Sequence, residues 1–150
     1  MRAVIQRVTN ASVSIDGKVK GEIEKGLLIL LGVGREDTKA DADILARKIA
    51  TMRIFSDEND KVNLSVKDVG GSLLIISNFT LYGDMKRGTR PSFDPAMPPK
   101  EARELYEYFC KEMEKQDLFV ATGEFGADMK VCSLNDGPVT IFLDTIIWSK

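Results

Sequence analysis

Apolar and polar side chains alternate through much of the first third of the chain. Ala11, Val13 and Ile15 alternate with Ser12, Ser14 and Asp16, and Val19, Gly21 and Ile23 with Lys20, Glu22 and Glu24. That period of two marks a strand with one buried face. Asp16-Gly17, between the two runs, is the dipeptide that favours a tight hairpin turn. Arg2 to Val8 is also strand-like, and Gly26 to Val33 is nearly all apolar, as in a strand buried on both faces. The period then lengthens. Ala42, Leu45, Ile49 and Met52 form one stripe, predicting a helix over Thr38 to Met52 with Asp37 or Thr38 placed to cap it. Ile54-Phe55 resumes an extended chain, Asp57 to Asp60 is a polar turn, and Gly70-Gly71 precedes Ser72 to Thr80, predicted as a central strand.

From Tyr82 to Pro99, Gly83, Gly88, Pro91, Pro95, Pro98 and Pro99 fit neither period. A loop of this length in a compact domain is usually functional or mobile. Ala102, Leu105, Tyr106, Phe109, Cys110 and Met113 then mark an amphipathic helix that starts just after Pro98-Pro99. Leu118 to Ala121 reads as a short strand. Met129, Val131 and Ser133, followed by Val139, Ile141 and Leu143, read as two further strands interrupted at Asn135 to Pro138. The expectation is an α/β fold in a single domain, 1–150: a β-rich, mixed, barrel-like sheet with two principal helices.

Composition narrows the chemistry. The chain has 150 residues, 43% of them apolar, enough for one core but not two. With 21 basic and 23 acidic residues the net charge is −2, which argues against a broad cationic face for nucleic acid and leaves room for a focal patch. No apolar run approaches the roughly 20 residues of a membrane span, and Arg2 and Arg7 flank no signal-like hydrophobic region, so the cytosol is the expected location. Histidine is absent, which removes Ser-His-Asp and Cys-His catalysis, His-ligated zinc and His proton shuttles. Cys110 and Cys132 fit neither a disulfide framework nor a cysteine-rich metal site, and both are expected to be reduced and buried. No metal or cofactor is expected.

Three segments stand out. Ser77-Asn78-Phe79-Thr80-Leu81-Tyr82-Gly83 ends a strand in hydroxyl, amide and aromatic groups before a loop, a common place for ligand contacts. Thr80 and Tyr82 also read as ordinary β-formers on a solvated face. Lys86-Arg87-Gly88-Thr89-Arg90-Pro91-Ser92-Phe93 puts three cations and an aromatic in one loop, either to grip phosphates and a base or simply as solvated charge. Asn135-Asp136-Gly137-Pro138 is by itself a turn between strands.

Taken together, Ser77-Asn78-Phe79-Thr80-Leu81-Tyr82-Gly83-Asp84, Arg90-Pro91-Ser92-Phe93, Phe125-Gly126-Ala127-Asp128-Met129 and Asn135-Asp136-Gly137-Pro138-Val139-Thr140 closely resemble the D-aminoacyl-tRNA deacylases. The opening Met1-Arg2-Ala3-Val4-Ile5-Gln6-Arg7-Val8 and the length match as well, so the resemblance covers essentially the whole chain. One departure is Asn78, where the family usually has Gln, an amide longer by one methylene. The resemblance implies a homodimeric hydrolase that cleaves the ester between a D-amino acid and the 3′-terminal adenosine of tRNA, with glycyl-tRNA as a second substrate. It implies that Gly137 and Pro138 form a chiral gate, cis in the family, reaching into the partner subunit's site. It further implies that Ser77, Asn78, Phe79 and Thr80 line the reaction centre and that Ala102, Phe125 and Met129 hold the adenosine.

Physically, ester hydrolysis needs fixed donors at the carbonyl oxygen, and backbone N–H groups at Phe79-Thr80 can serve. With no histidine and no grouped carboxylates, no protein general base stands out; the resemblance suggests the substrate's own ribose 2′-OH as helper. Thr80 as covalent nucleophile is the sharper alternative. Lys86, Arg87 and Arg90 are the candidates for tRNA phosphate contacts. Two other classes stay open: a tRNA-end binding module without catalysis, and a structural β-rich dimerisation domain.

Overall fold

The computed structural model describes residues 1–148. It contains β1 (Arg2–Ile15), β2 (Lys18–Ile23), β3 (Gly26–Gly32), α1 (Lys39–Thr51), β4 (Phe55–Ser56), β5 (Val62–Leu64), β6 (Ser72–Ser77), α2 (Pro99–Glu114), β7 (Val120–Thr122) and β8 (Lys130–Asp144). The Asp16-Gly17 turn joins β1 to β2, with both residues at positive φ (51° and 79°) as a two-residue hairpin requires. Neighbouring strands run β2-β1-β3-β6-β7, with β8 on the free side of β1. The first pairs are antiparallel, whereas β3-β6 and β6-β7 are parallel. The sheet curls almost into a barrel. A Cβ on Gly21 of β2 would lie 2.7 Å from the Thr122 carbonyl oxygen of β7, so the open edge strands nearly touch.

Alternation along the parallel strands divides the core. Leu27, Ile29 and Leu31 of β3 and Leu73 and Ile75 of β6 face the helices, against Leu45 and Ile49 of α1 and Phe109 and Met113 of α2. Leu28, Leu74 and Ile76 face the other way, with Val8, Val13 and Ile23. Each helix is the crossover that a parallel pair needs. Thr38 caps α1, with the Asp41 carboxylate accepting from the Thr38 N–H at 2.8 Å, and Pro99 opens α2 at a position that needs no N–H.

Four expectations change. The strand from Ser72 ends at Ser77, where the Asn78 N–H bonds back to the Leu31 carbonyl, and Phe79–Tyr82 turns into a 3-10 helix. Asn135 to Pro138 does not separate two strands. β8 is continuous and takes up those residues as a bulge, since β1 pairs Gln6 with Thr140 and Val8 with Asn135. The short strand expected at Leu118 is Val120–Thr122, and Leu118 is buried just ahead of it. Cys110 is buried as expected, but Cys132 is exposed on β8.

Candidate functional site

The C-terminal ends of the parallel strands β3 and β6 open into a groove of about 1040 Å³. This is where ligands gather in folds with parallel strands, because the chain leaves the sheet there and its loops diverge. Ser77, Asn78, Phe79 and Thr80 form one wall, and Ala102, Phe125 and Met129 form another. The floor is the sheet face turned away from the helices, including Leu28, Leu30 and Ile76.

The 3-10 helix sets the chemistry of the first wall. Leu81 N–H bonds to the Asn78 carbonyl and Gly83 N–H to the Thr80 carbonyl, so the Phe79 and Thr80 N–H groups precede the first internal bond of the turn. The Thr80 hydroxyl donates to Asn78 Oδ1 at 2.5 Å. That acceptor is an amide oxygen, which orients the hydroxyl but does not take its proton. Phe79 is 57% exposed and meets Phe93 edge-on, with ring centroids 5.0 Å apart. Tyr82 closes the turn beneath them. It is buried, carries the Arg2 guanidinium 4.4 Å above its ring, and donates to Asp37 at 3.4 Å. Burial first, and then the Asp37 carboxylate, push its phenol well above the usual tyrosine value, so it remains a donor. Tyr82 is therefore a support for the turn and not a β-former on a solvated face.

The second wall is apolar and held in place by its neighbours. Ala102, in the first turn of α2, contributes only a methyl group. Phe125 leans on Tyr106 at 5.8 Å between centroids, and Tyr106 is fixed by its bond to the Ile75 carbonyl at 2.7 Å. Met129 reaches the groove past Gly123, where a Cβ would stand 2.5 Å from its sulfur.

Gly137 and Pro138 do not line this groove. They are exposed at the β8 bulge, and their peptide bond is cis. Two side chains hold the bulge. Arg7 donates to the Asp136 carbonyl at 2.8 Å and to the Ile54 carbonyl at 2.7 Å, and Asn135 Oδ1 accepts from the Val139 N–H at 2.9 Å. Gln6, which lines the groove, donates to Thr140 Oγ1 at 3.2 Å and so links the bulge to the groove floor. Lys86, Arg87 and Arg90 are exposed in the loop tied by the Asp84–Ser92 bridge. Lys86 borders a separate cavity of about 460 Å³ with Arg2 and Tyr82, and none of the three lines the groove. Arg35 does line it, a residue that no motif of the sequence marks. The available signal was its place just after a buried strand, where loops carry ligand contacts. Among the described residues no group of three or more His, Cys, Asp or Glu is arranged to hold a metal ion.

Comparison with known proteins gives the family of the chain. The family model described as D-Tyr-tRNA(Tyr) deacylase matches residues 4–144. A D-aminoacyl-tRNA deacylase of Koribacter versatilis and one of Thermosipho africanus are each 57% identical over 145 residues, covering 97% of this chain and 97% of the relative. One of Roseiflexus castenholzii is 54% identical over 150 residues, covering 100% of this chain and 96% of the relative. Among solved structures, a c-Myc DNA Unwinding Element Binding Protein superposes with a TM-score of 0.90 at 40% identity, over 96% of this chain and 98% of that one. A probable eukaryotic D-amino acid tRNA deacylase shares the fold, with a TM-score of 0.82 at 14% identity over 95% and 97% of the two chains. The chain belongs to the D-Tyr-tRNA(Tyr) deacylase family, the hydrolases whose curated members carry the name D-aminoacyl-tRNA deacylase.

Proposed function

We propose that this protein hydrolyses the ester joining a D-amino acid to the 3′-terminal adenosine of tRNA, accepts glycyl-tRNA as well, and works as a homodimer in the cytoplasm, where its substrate is made. The observation that carries the reading is that one groove holds both walls: ester-facing groups at Ser77, Asn78, Phe79 and Thr80, and a flat apolar slot at Ala102, Phe125 and Met129. An aminoacylated adenosine has this bipartite character.

In this reading the Phe79 and Thr80 N–H groups face the carbonyl oxygen as charge builds on it, and fixed donors of this kind are usually the largest single contribution to rate. Water attacks the carbonyl carbon, and the bond to the ribose 3′-oxygen breaks. The neighbouring 2′-OH serves as proton relay to that leaving oxygen. Asp128 borders the groove, but its side chain is 90% exposed and pairs with Lys130 at 3.2 Å, the setting of a solvated surface carboxylate. Thr80 orients the ester. Its hydroxyl proton is engaged by an amide, which leaves it without the activation a nucleophile needs.

Selection against L-amino acids falls to the Gly137-Pro138 backbone of the partner subunit. The bulge, held by Arg7 and Asn135, is exposed and lines no part of its own groove, which leaves it free to meet a second copy. Backbone carbonyls hold the α-amino group, and a rigid wall stands where an L side chain would begin. A D side chain points elsewhere, and glycine has no Cβ to reject. Lys86, Arg87 and Arg90 meet tRNA phosphates, giving a chain of net charge −2 a focal attraction for an anionic partner.

Matched D- and L-aminoacyl-tRNA, incubated with purified protein, test the reading. Loss of ester from the D form and from glycyl-tRNA, with the L form spared, is the expected result. Binding of tRNA ends without loss of ester would make the protein a binding module, and failure to bind either would leave a structural dimerisation domain.

A further inference from the structure

The groove's lining is nearly devoid of charge. Among its residues the only cation is Arg35 and the only anion is Asp128. Everything else is apolar, hydroxyl or amide, which suits an ester and a nucleoside but not the phosphate that every tRNA carries on the 5′ side of its terminal adenosine.

Arg35 is built to meet such a group. It lies in the turn Gly34–Asp37, closed by the Asp37 N–H to the Gly34 carbonyl at 3.1 Å and by the Gly34 N–H to Asp37 Oδ2 at 2.6 Å. That carboxylate is fixed in turn by the Met1 amine at 2.6 Å. Further out, the Arg35 N–H bonds to the Pro95 carbonyl at 3.0 Å, and its Nε donates to the Asp94 carbonyl. The side chain is thus oriented by backbone through Nε alone. Its two Nη groups have no protein acceptor among the described residues, and Arg35 pairs with no carboxylate among them. A guanidinium pinned at one nitrogen with the fork left free presents parallel donors, the arrangement suited to a phosphate.

We infer that Arg35 binds the phosphate 5′ to the terminal adenosine, so that the groove recognises a nucleotide and not merely a nucleoside. This deepens the deacylase reading and rests on it. The position fits the order of the walls. The segment Asp94 to Pro99 that carries the Arg35 contacts leads directly into α2, whose Ala102 lines the proposed adenosine slot. It also gives Arg35 a task distinct from that of Lys86, Arg87 and Arg90, which lie outside the groove and are placed for phosphates further along the acceptor strand.

The test compares two small esters, a D-amino acid on the 3′-oxygen of adenosine and the same amino acid on the 3′-oxygen of adenosine 5′-monophosphate. For the wild-type protein the phosphorylated ester should have the lower KM. Arg35→Gln should raise KM for that ester about tenfold, the scale of one lost charge-assisted contact, with kcat nearly unchanged, and should leave the adenosine ester untouched. Arg35→Lys should recover part of the difference. An equal penalty on both esters, or none on either, would reduce Arg35 to a clip for the Asp94–Pro95 segment and overturn the inference. Equilibrium binding of adenosine 5′-monophosphate against adenosine, with the wild type and both variants, decides the same point without turnover. If neither ester is cleaved, the deacylase reading falls, while the binding difference still decides the role of Arg35.

Discussion

A threonine hydroxyl becomes a nucleophile when a neighbour takes its proton, and at Thr80 the neighbour is the Asn78 amide oxygen, 2.5 Å away. An amide accepts a hydrogen bond without accepting the proton. Thr80→Ala is therefore expected to slow D-aminoacyl-tRNA hydrolysis roughly tenfold, the worth of one orienting hydrogen bond, without abolishing it. Replacing the terminal ribose by its 2′-deoxy form should cost more, because it removes the proposed proton relay. Single-turnover rates for the four combinations of enzyme and substrate check the order, and an acyl group trapped on Thr80 would reverse it. The sequence displayed the residues of this wall but not their geometry. Only the structure shows the Asn78 amide oxygen accepting from the Thr80 hydroxyl, within the wall that both residues form. The cysteines illustrate the same limit. Cys110 and Cys132 are alike by composition, whereas burial pushes the Cys110 thiol up to about 12 and Cys132 lies open on β8.

At the scale of the element, local signals succeeded wherever a strand or helix is specified by its own side chains. Both helices, the Asp16-Gly17 hairpin and the doubly buried β3 follow from period and turn chemistry. They failed where a neighbour decides. Ser72 to Thr80 reads as one strand, but its ladder partner β3 ends at Gly32, and the chain past Ser77 has only Leu31 left to bond before it turns. Asn135-Asp136-Gly137-Pro138 carries every local mark of a turn, yet the 14-residue β1 pairs on both sides of it and holds β8 as a single strand. The bulge is consequently tight. Gly137 sits at φ 151°, and a Cβ there would lie 2.6 Å from the Val139 nitrogen, a backbone atom that cannot move without shifting β8. Gly137→Ala should distort the bulge at a cost of about 1–3 kcal/mol in stability and lower D-aminoacyl-tRNA cleavage at least tenfold. Because the proposed wall then loses its shape, discrimination between D and L esters should shrink as well. Urea unfolding together with paired D and L rates separates this from simple destabilisation, which would lower activity but leave the D to L ratio of the folded fraction unchanged.

For the molecule as a whole, β8 is the strand left most exposed to a partner. Among the described residues β8, a strand of 15 residues, has one ladder partner, β1, and its far edge is unpaired; edges of that length are usually blunted or paired. Large apolar side chains lie exposed along it: Val131 at 39%, Leu134 at 56% and Phe142 at 57%. Register fixes where one of them points. Val4 pairs with Phe142 and Gln6 with Thr140, two residues along each strand, so Phe142 stands on the same face as Gln6, which lines the groove. A second copy seated on Phe142 would thus lie beside the groove and could bring its own Gly137-Pro138 bulge to it. Phe142→Glu should leave the monomer folded, since the ring is already mostly in water, but weaken association by desolvating a charge at the interface. Sedimentation at graded concentration should show the variant as monomer where the wild type is dimer, and its specific activity toward D-aminoacyl-tRNA should fall with the dimer fraction. In the wild type, dilution through the same dissociation range should reproduce that fall. Full activity in a demonstrated monomer would mean that each groove is complete by itself, and the selection against L-amino acids would then have to be found within a single chain.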